Sequence, residues 1–202
     1  MKKYLMFAIA TLVLVLTQCK PEVLETPLSP TGEPELVYYS VSKINWQRAL
    51  FIQLRNTNSS TIEFCFDIEF LRDGQVIYSC HGTDANSGSR EFRLGPGEKW
   101  MFYTYYYPLN FDELRIVNVD WGKVADPVKL TLVKEEKNIG NLVLGFIADS
   151  EITYQTVVQV AFYWNDHLVD FVEKTFEPDD DLEATYEVYE SYERYEVFAR
   201  AY

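Results

Sequence analysis

The 202-residue chain is poor in the side chains that catalysis and metal binding draw on, with two histidines and three cysteines in all. No zinc-ligand spacing, G-x-S-x-G elbow or phosphate-binding glycine loop occurs, and no cofactor motif is present. A cysteine nucleophile needs a neighbouring base, and His81, directly after Cys80, is the only adjacent pair. That pair reads equally as the end of a strand, so the chain is not read as an enzyme; only glycosidase-type carboxylate pairs, which lie far apart in sequence, stay open. Basic residues are scarce too. Lys and Arg number 18 against 31 Asp and Glu, a net charge of −13, which repels phosphates and leaves nucleic acid out as a partner. Asp84-Ala85-Asn86-Ser87-Gly88 starts like a calcium loop, but Gly95 stands at the twelfth position, where a bidentate Glu belongs. The remaining metal candidate is a weak calcium site at Asp179, Asp180 and Asp181, whose side chains point in different directions along an extended segment. No stretch beyond the N-terminus has a helical period.

The N-terminus supplies an address. Met1-Lys2-Lys3 is a basic head and Leu5 to Leu16 an apolar run, too short for the roughly twenty residues of a membrane-spanning helix. It reads as a signal sequence. Leu16-Thr17-Gln18-Cys19 resembles the lipobox of bacterial lipoproteins, with Gln18 where Gly, Ala or Ser is usual. That resemblance implies removal of residues 1–18 and lipidation of Cys19, hence a membrane anchor through an N-terminal lipid. No A-x-A site lies downstream for ordinary secretory cleavage. Residues 19–34 carry Pro21, Pro27, Pro30 and Pro34 and read as an extended tether, reaching up to about 45 Å. Lys20 after the cysteine lacks the Asp that retains enterobacterial lipoproteins at the inner membrane. The expected location is the bacterial cell envelope, at the outer membrane, facing the periplasm or the surface.

The rest of the chain alternates. Phe64, Phe66, Ile68 and Phe70 interleave with Cys65, Asp67 and Glu69, the period of a strand with one face on a core. Asp73-Gly74 offers a tight reversal, after which Val76 and Tyr78 resume the pattern. Strands are expected over Leu36–Ser42, Leu50–Arg55, Phe64–Leu71, Gln75–Cys80, Glu91–Leu94, Lys99–Tyr106 and Glu113–Asp120. Seven short strands with frequent turn residues suggest a sandwich over residues 35–122. A second copy follows over residues 127–202. Val158, Val160 and Phe162 repeat Phe66, Ile68 and Phe70; Asn165-Asp166 repeats the turn; Leu142, Leu144 and Phe146 repeat Leu50, Ile52 and Leu54. Val128–Lys134 is expected to repeat Leu36–Ser42, Phe176 to match Phe92, Tyr186 to match Phe102 and Tyr202 to match Trp121.

Asn56-Thr57-Asn58 after the second strand, the Asp73-Gly74 hairpin and the turn Leu94-Gly95-Pro96-Gly97-Glu98 before Phe102 resemble the small Ig-like or FxLYD-type domains of bacterial and archaeal envelope lipoproteins. The resemblance implies an all-β fold of two tandem Ig-like β-sandwiches and an accessory or binding role, with no catalytic residues to carry over.

Three further expectations concern side chains. Cys65 and Cys80, on the two arms of the central hairpin, are a candidate disulfide if the register centres one residue earlier than the simplest turn; otherwise they are free thiols. Tyr103, Tyr105 and Tyr107 alternate with core positions and are a candidate binding surface that Tyr189 and Tyr192 extend, or they cover the other repeat. The charge is uneven, with 8 basic and 10 acidic residues over 36–121 against 6 and 16 over 128–202. The functional expectation is a lipid-anchored, non-catalytic binding protein whose partner is an envelope protein or glycan. The alternatives are a structural spacer or accessory subunit of an envelope assembly and, third, an unrecognised hydrolase.

Overall fold

A computed structural model describes residues 32–44, 47–82 and 92–201. Cys19, the preceding signal sequence, most of the tether and the Asp84–Gly88 segment lie outside them. The described chain is all β, with thirteen strands in antiparallel sheets. In the first half, β1 (Glu35–Ile44), β2 (Gln47–Arg55) and β6 (Lys99–Thr104) form one sheet around β2. The other sheet is built on β3 (Ile62–Arg72), flanked on one side by β7 (Glu113–Lys123) and on the other by β4 (Gln75–His81) and β5 (Phe92–Leu94). In the second half, β8 (Leu130–Asn138), β9 (Asn141–Ala148) and β12 (Glu183–Glu187) surround β9. There β10 (Thr156–Trp164) is central to β11 (His167–Phe176) and β13 (Arg194–Ala201).

The four sheets stack in the order β3, β2, β10, β9. Phe64, Phe66, Ile68 and Phe70 meet Leu50, Ile52, Leu54 and Phe102 in the first core, where the Phe66 and Phe102 rings stand edge to face at 5.3 Å. Val158, Val160 and Phe162 meet Leu142, Leu144 and Tyr186 in the second. Between them the outer face of the β2 sheet packs on the outer face of the β10 sheet. Phe51 lies 5.2 Å from Phe171 and Tyr38 6.1 Å from Tyr163, between ring centroids. The two middle strands are therefore covered on both faces: Ala49 to Leu54 and Thr156 to Tyr163 are buried without a break. Such strands read as continuous apolar runs, whereas β3, with one solvated face, keeps the strict alternation.

Strand pairings repeat between the halves. Ile68 faces Ile116 and Val160 faces Val197; Phe70 faces Leu114 and Phe162 faces Tyr195. Each long hairpin carries a β-bulge at one place, Ile77 in β4 and Val169 in β11. The first strand of each half bulges as well, at Val37 and at Val133. The registers correct the expected alignment at the edges. Leu36 opposes Leu54 as Leu132 opposes Phe146, so Leu132-Val133, not Val128-Lys129, repeats Leu36-Val37. β7 holds one extra residue near Asn118, whose φ is 50°, and the counterpart of Trp121 is consequently Ala201 rather than Tyr202. Ile52 faces Phe102 while Leu144 faces Ala184, which moves that match by two residues and keeps its face. β11 runs on without the break that separates β4 from β5, and its end takes the place of β5: Phe176 faces Thr156 as Phe92 faces Phe64, so Phe92 and Phe176 match as expected.

The turn residues that carry the family resemblance form one knot. The Asn56 side chain is fully buried, and its amide donates to the carbonyls of Ser60, Leu94 and Gly95 at 2.8–3.0 Å. Its backbone exchanges hydrogen bonds with Glu98 and Gly97, whose φ of 74° suits glycine. Asn56 thus ties the end of β2 to the turn that feeds β6, giving partners to buried carbonyls of the loop.

Candidate functional site

The tyrosine row does not form as expected. β6 ends at Thr104, whose hydroxyl accepts the backbone N–H of Tyr106 at 3.0 Å, so the chain turns before the alternation reaches Tyr105. Tyr103 faces away from the first core, but that direction is the middle of the molecule. Its ring packs 5.8 Å from Phe51 and 5.4 Å from Phe171. Burial, reinforced by Glu173, pushes its phenol up to about 12. Tyr107 is also half-buried, edge-on to Phe111. Only Tyr105 of the three is exposed, at 50%, stacked edge to face on Tyr103.

Through Phe171 this aromatic chain reaches a groove of about 380 Å³ between β11 and β12. β11 is the outer strand of its sheet, so alternate backbone N–H and C=O groups along it point away from β10. Two of these outward groups are taken: the Leu168 N–H donates to the Tyr38 hydroxyl at 3.4 Å, and the Phe171 N–H to Asp170 at 2.9 Å. Among the described residues no strand runs beside Glu173 to Thr175. Asp170 is 5% exposed, and its other oxygen accepts the backbone N–H of Tyr189 at 3.2 Å. Loss of hydration raises its pKa, opposed by those two N–H groups. Glu173 is accessible as a residue, yet its carboxyl folds back onto the Gln159 amide at 2.8 Å, and burial raises its pKa as well. On the far wall stand Thr185, Glu187 and the exposed Tyr189, whose hydroxyl donates to Glu187. The groove joins an open strand edge, the rings of Phe171 and Tyr189, and three carboxylates beside Lys174, a lining that offers acceptors to a hydroxyl- or amine-bearing partner. A larger hollow of about 490 Å³ beside Ser150, Glu151, Thr153 and Asp179 has no aromatic wall.

The remaining candidates are scattered. Cys65 and Cys80 are not joined in a disulfide and cannot bridge: Cys80 opposes Ile68, three residues from Cys65, on the core side of the sheet. The bulge at Ile77 moves the register away from, not toward, the pairing a disulfide needs. Adjacent strand residues face opposite ways, so His81 is turned from Cys80 and bonds Asp67, whose second oxygen accepts the Asn118 amide at 2.8 Å. Asp180 closes its own turn by accepting the Glu177 N–H at 2.8 Å, and no group of three or more His, Cys, Asp or Glu able to hold a metal occurs among the described residues. Sequence reasoning reached Tyr105 and Tyr189 but missed Asp170 and Glu173. Their signal was a pair of acids inside the apolar pattern Leu168 to Phe176. No protein-family model matches the chain, and no curated protein matches it.

Proposed function

We propose that the protein is a lipid-anchored, non-catalytic binding protein of the bacterial cell envelope, made of two tandem Ig-like sandwiches, and that it holds an envelope protein or glycan in the groove beside β11. The observation that supports this reading is the coincidence of an unpaired strand edge with exposed Tyr189 and the carboxylates of Asp170, Glu173 and Glu187 in one groove, which Tyr105 approaches through the rings of Tyr103 and Phe171. Rigid phenol rings give contact area at low entropic cost, and a hydroxyl or amide ligand finds acceptors at once. The stacked sheets favour the alternative of a spacer or accessory subunit, because a body locked through its middle layers transmits position.

A glycan array and an envelope-protein capture, each run with the full chain and with a Tyr105→Ser/Tyr189→Ser variant, separate the two. Binding is expected to fall by tenfold or more, about 1.4 kcal/mol or above for two lost aromatic contacts; an unchanged set of ligands overturns the groove as the site. The anchor is tested by metabolic labelling with a palmitate analogue, which Cys19→Ala is expected to abolish.

A further inference from the structure

Edge strands invite pairing, and natural sheets guard them with charge. Among the described residues eight strands lie along sheet edges, β1, β4, β6, β7, β8, β11, β12 and β13, with the short β5 beside β4. β8 carries Lys134, Glu135, Glu136 and Lys137; β7 carries Glu113, Arg115, Asp120 and Lys123; β12 carries Glu183 and Glu187. β11, the equivalent of β4, carries Asp170, Glu173 and Lys174. β4 alone, reading Gln75-Val-Ile-Tyr-Ser-Cys-His81, has no Asp, Glu, Lys or Arg. It also exposes Val76 at 51%, Ile77 at 44% and Tyr78 at 43%, and no strand among the described residues pairs with its second edge.

We propose that β4 is an association edge, and that it pairs antiparallel with the β4 of a second copy of this chain. A neutral strand is self-complementary, since a two-fold contact sets each residue against the same uncharged set. The charge distribution favours the same geometry. The acidic excess sits in the second half, with 16 acidic against 6 basic residues over 128–202, and the β9 sheet lies at the opposite end of the stack from the β3 sheet. Pairing through β4 keeps the two acidic halves far apart, so repulsion at ordinary salt is screened. It hides Val76, Ile77 and Tyr78 and satisfies the outward N–H and C=O groups of both strands.

The test is the mass of the full chain, extracted from membranes and measured by sedimentation equilibrium in density-matched detergent. Two chains are expected for the native sequence and one chain for Ile77→Lys and for Ser79→Lys, with unfolding midpoints unchanged when all three are compared at concentrations where the native chain is dissociated. Val133→Lys, on the already charged edge β8, is expected to stay at two. A native protein of one-chain mass at every concentration overturns the proposal, as does a two-chain mass kept by both β4 variants.

Discussion

Gln159 has no exposed surface, yet it sits in the layer between the two halves. Its amide nitrogen donates to the Met101 carbonyl at 3.0 Å and its oxygen accepts the Met101 N–H at 3.3 Å, so the side chain makes the pair of bonds a neighbouring strand would make. A third bond runs to Glu173. Gln159→Leu keeps the volume and strands both backbone groups of Met101 in an apolar layer, each costing about 1–3 kcal/mol. A loss of about 3 kcal/mol is expected in urea unfolding, against about 0.5 kcal/mol or less for an exposed Gln75→Leu. Equal losses would mean that water satisfies Met101 in the variant. The sequence does carry a trace of this contact, for Gln159 is the one polar residue within Val157 to Tyr163. What it does not show is the partner, since Met101 contributes only backbone.

At the scale of elements, the two hairpins are chemically unequal solutions to one geometry. Asp73 and Gly74 have φ of 51° and 74°, Asn165 and Asp166 of 48° and 61°, so both turns place two successive residues in the left-handed region. That conformation matches the twist of the flanking strands, and glycine tolerates it best at the second position. The second hairpin has Asp there, with only an exposed contact to Arg194 at 3.3 Å in return, and such contacts contribute little. Asp166→Gly is therefore expected to stabilise by about 0.5–1 kcal/mol, and Gly74→Asp to destabilise by a similar amount, in thermal unfolding. A destabilising Asp166→Gly would show that the Arg194 contact outweighs backbone strain. These hairpins were legible because turn residues and alternation are local. The disulfide expectation failed for a reason equally local but silent. A bulge such as Ile77 inserts one apolar residue among others, leaves no compositional mark, and swaps the face of everything beyond it. The match of Tyr202 failed the same way, through the bulge at Asn118; that of Val128 failed because the β8–β9 hairpin is two residues shorter on each arm, closing at Asn138 and Asn141 where β1–β2 closes at Ile44 and Gln47.

For the whole molecule the decisive feature is that the middle sheets are buried twice. Alternation located the outer strand β3, and the first core followed from it. The unbroken runs of β2 and β10 said that a second face was covered, but pattern alone does not say by what; Tyr103, Phe51 and Phe171 meet across a distance in sequence that no periodicity spans. This layer also sets how the protein unfolds. Val157, Ala161, Tyr163, Leu168, Phe171 and Phe198 of the second half belong to the same buried cluster as Phe64 and Phe102 of the first. Exposing one half would therefore strip the other of a face. Leu144 lies in the second core, remote from the first half, and Leu144→Ala is expected to cost about 3 kcal/mol through the cavity it leaves. If the halves open together, hydrogen exchange of the slowest β3 amides accelerates by the same free energy as that of β10. Should β3 protection stay unchanged while β10 loses its own, the two halves open separately and the shared layer is only a contact.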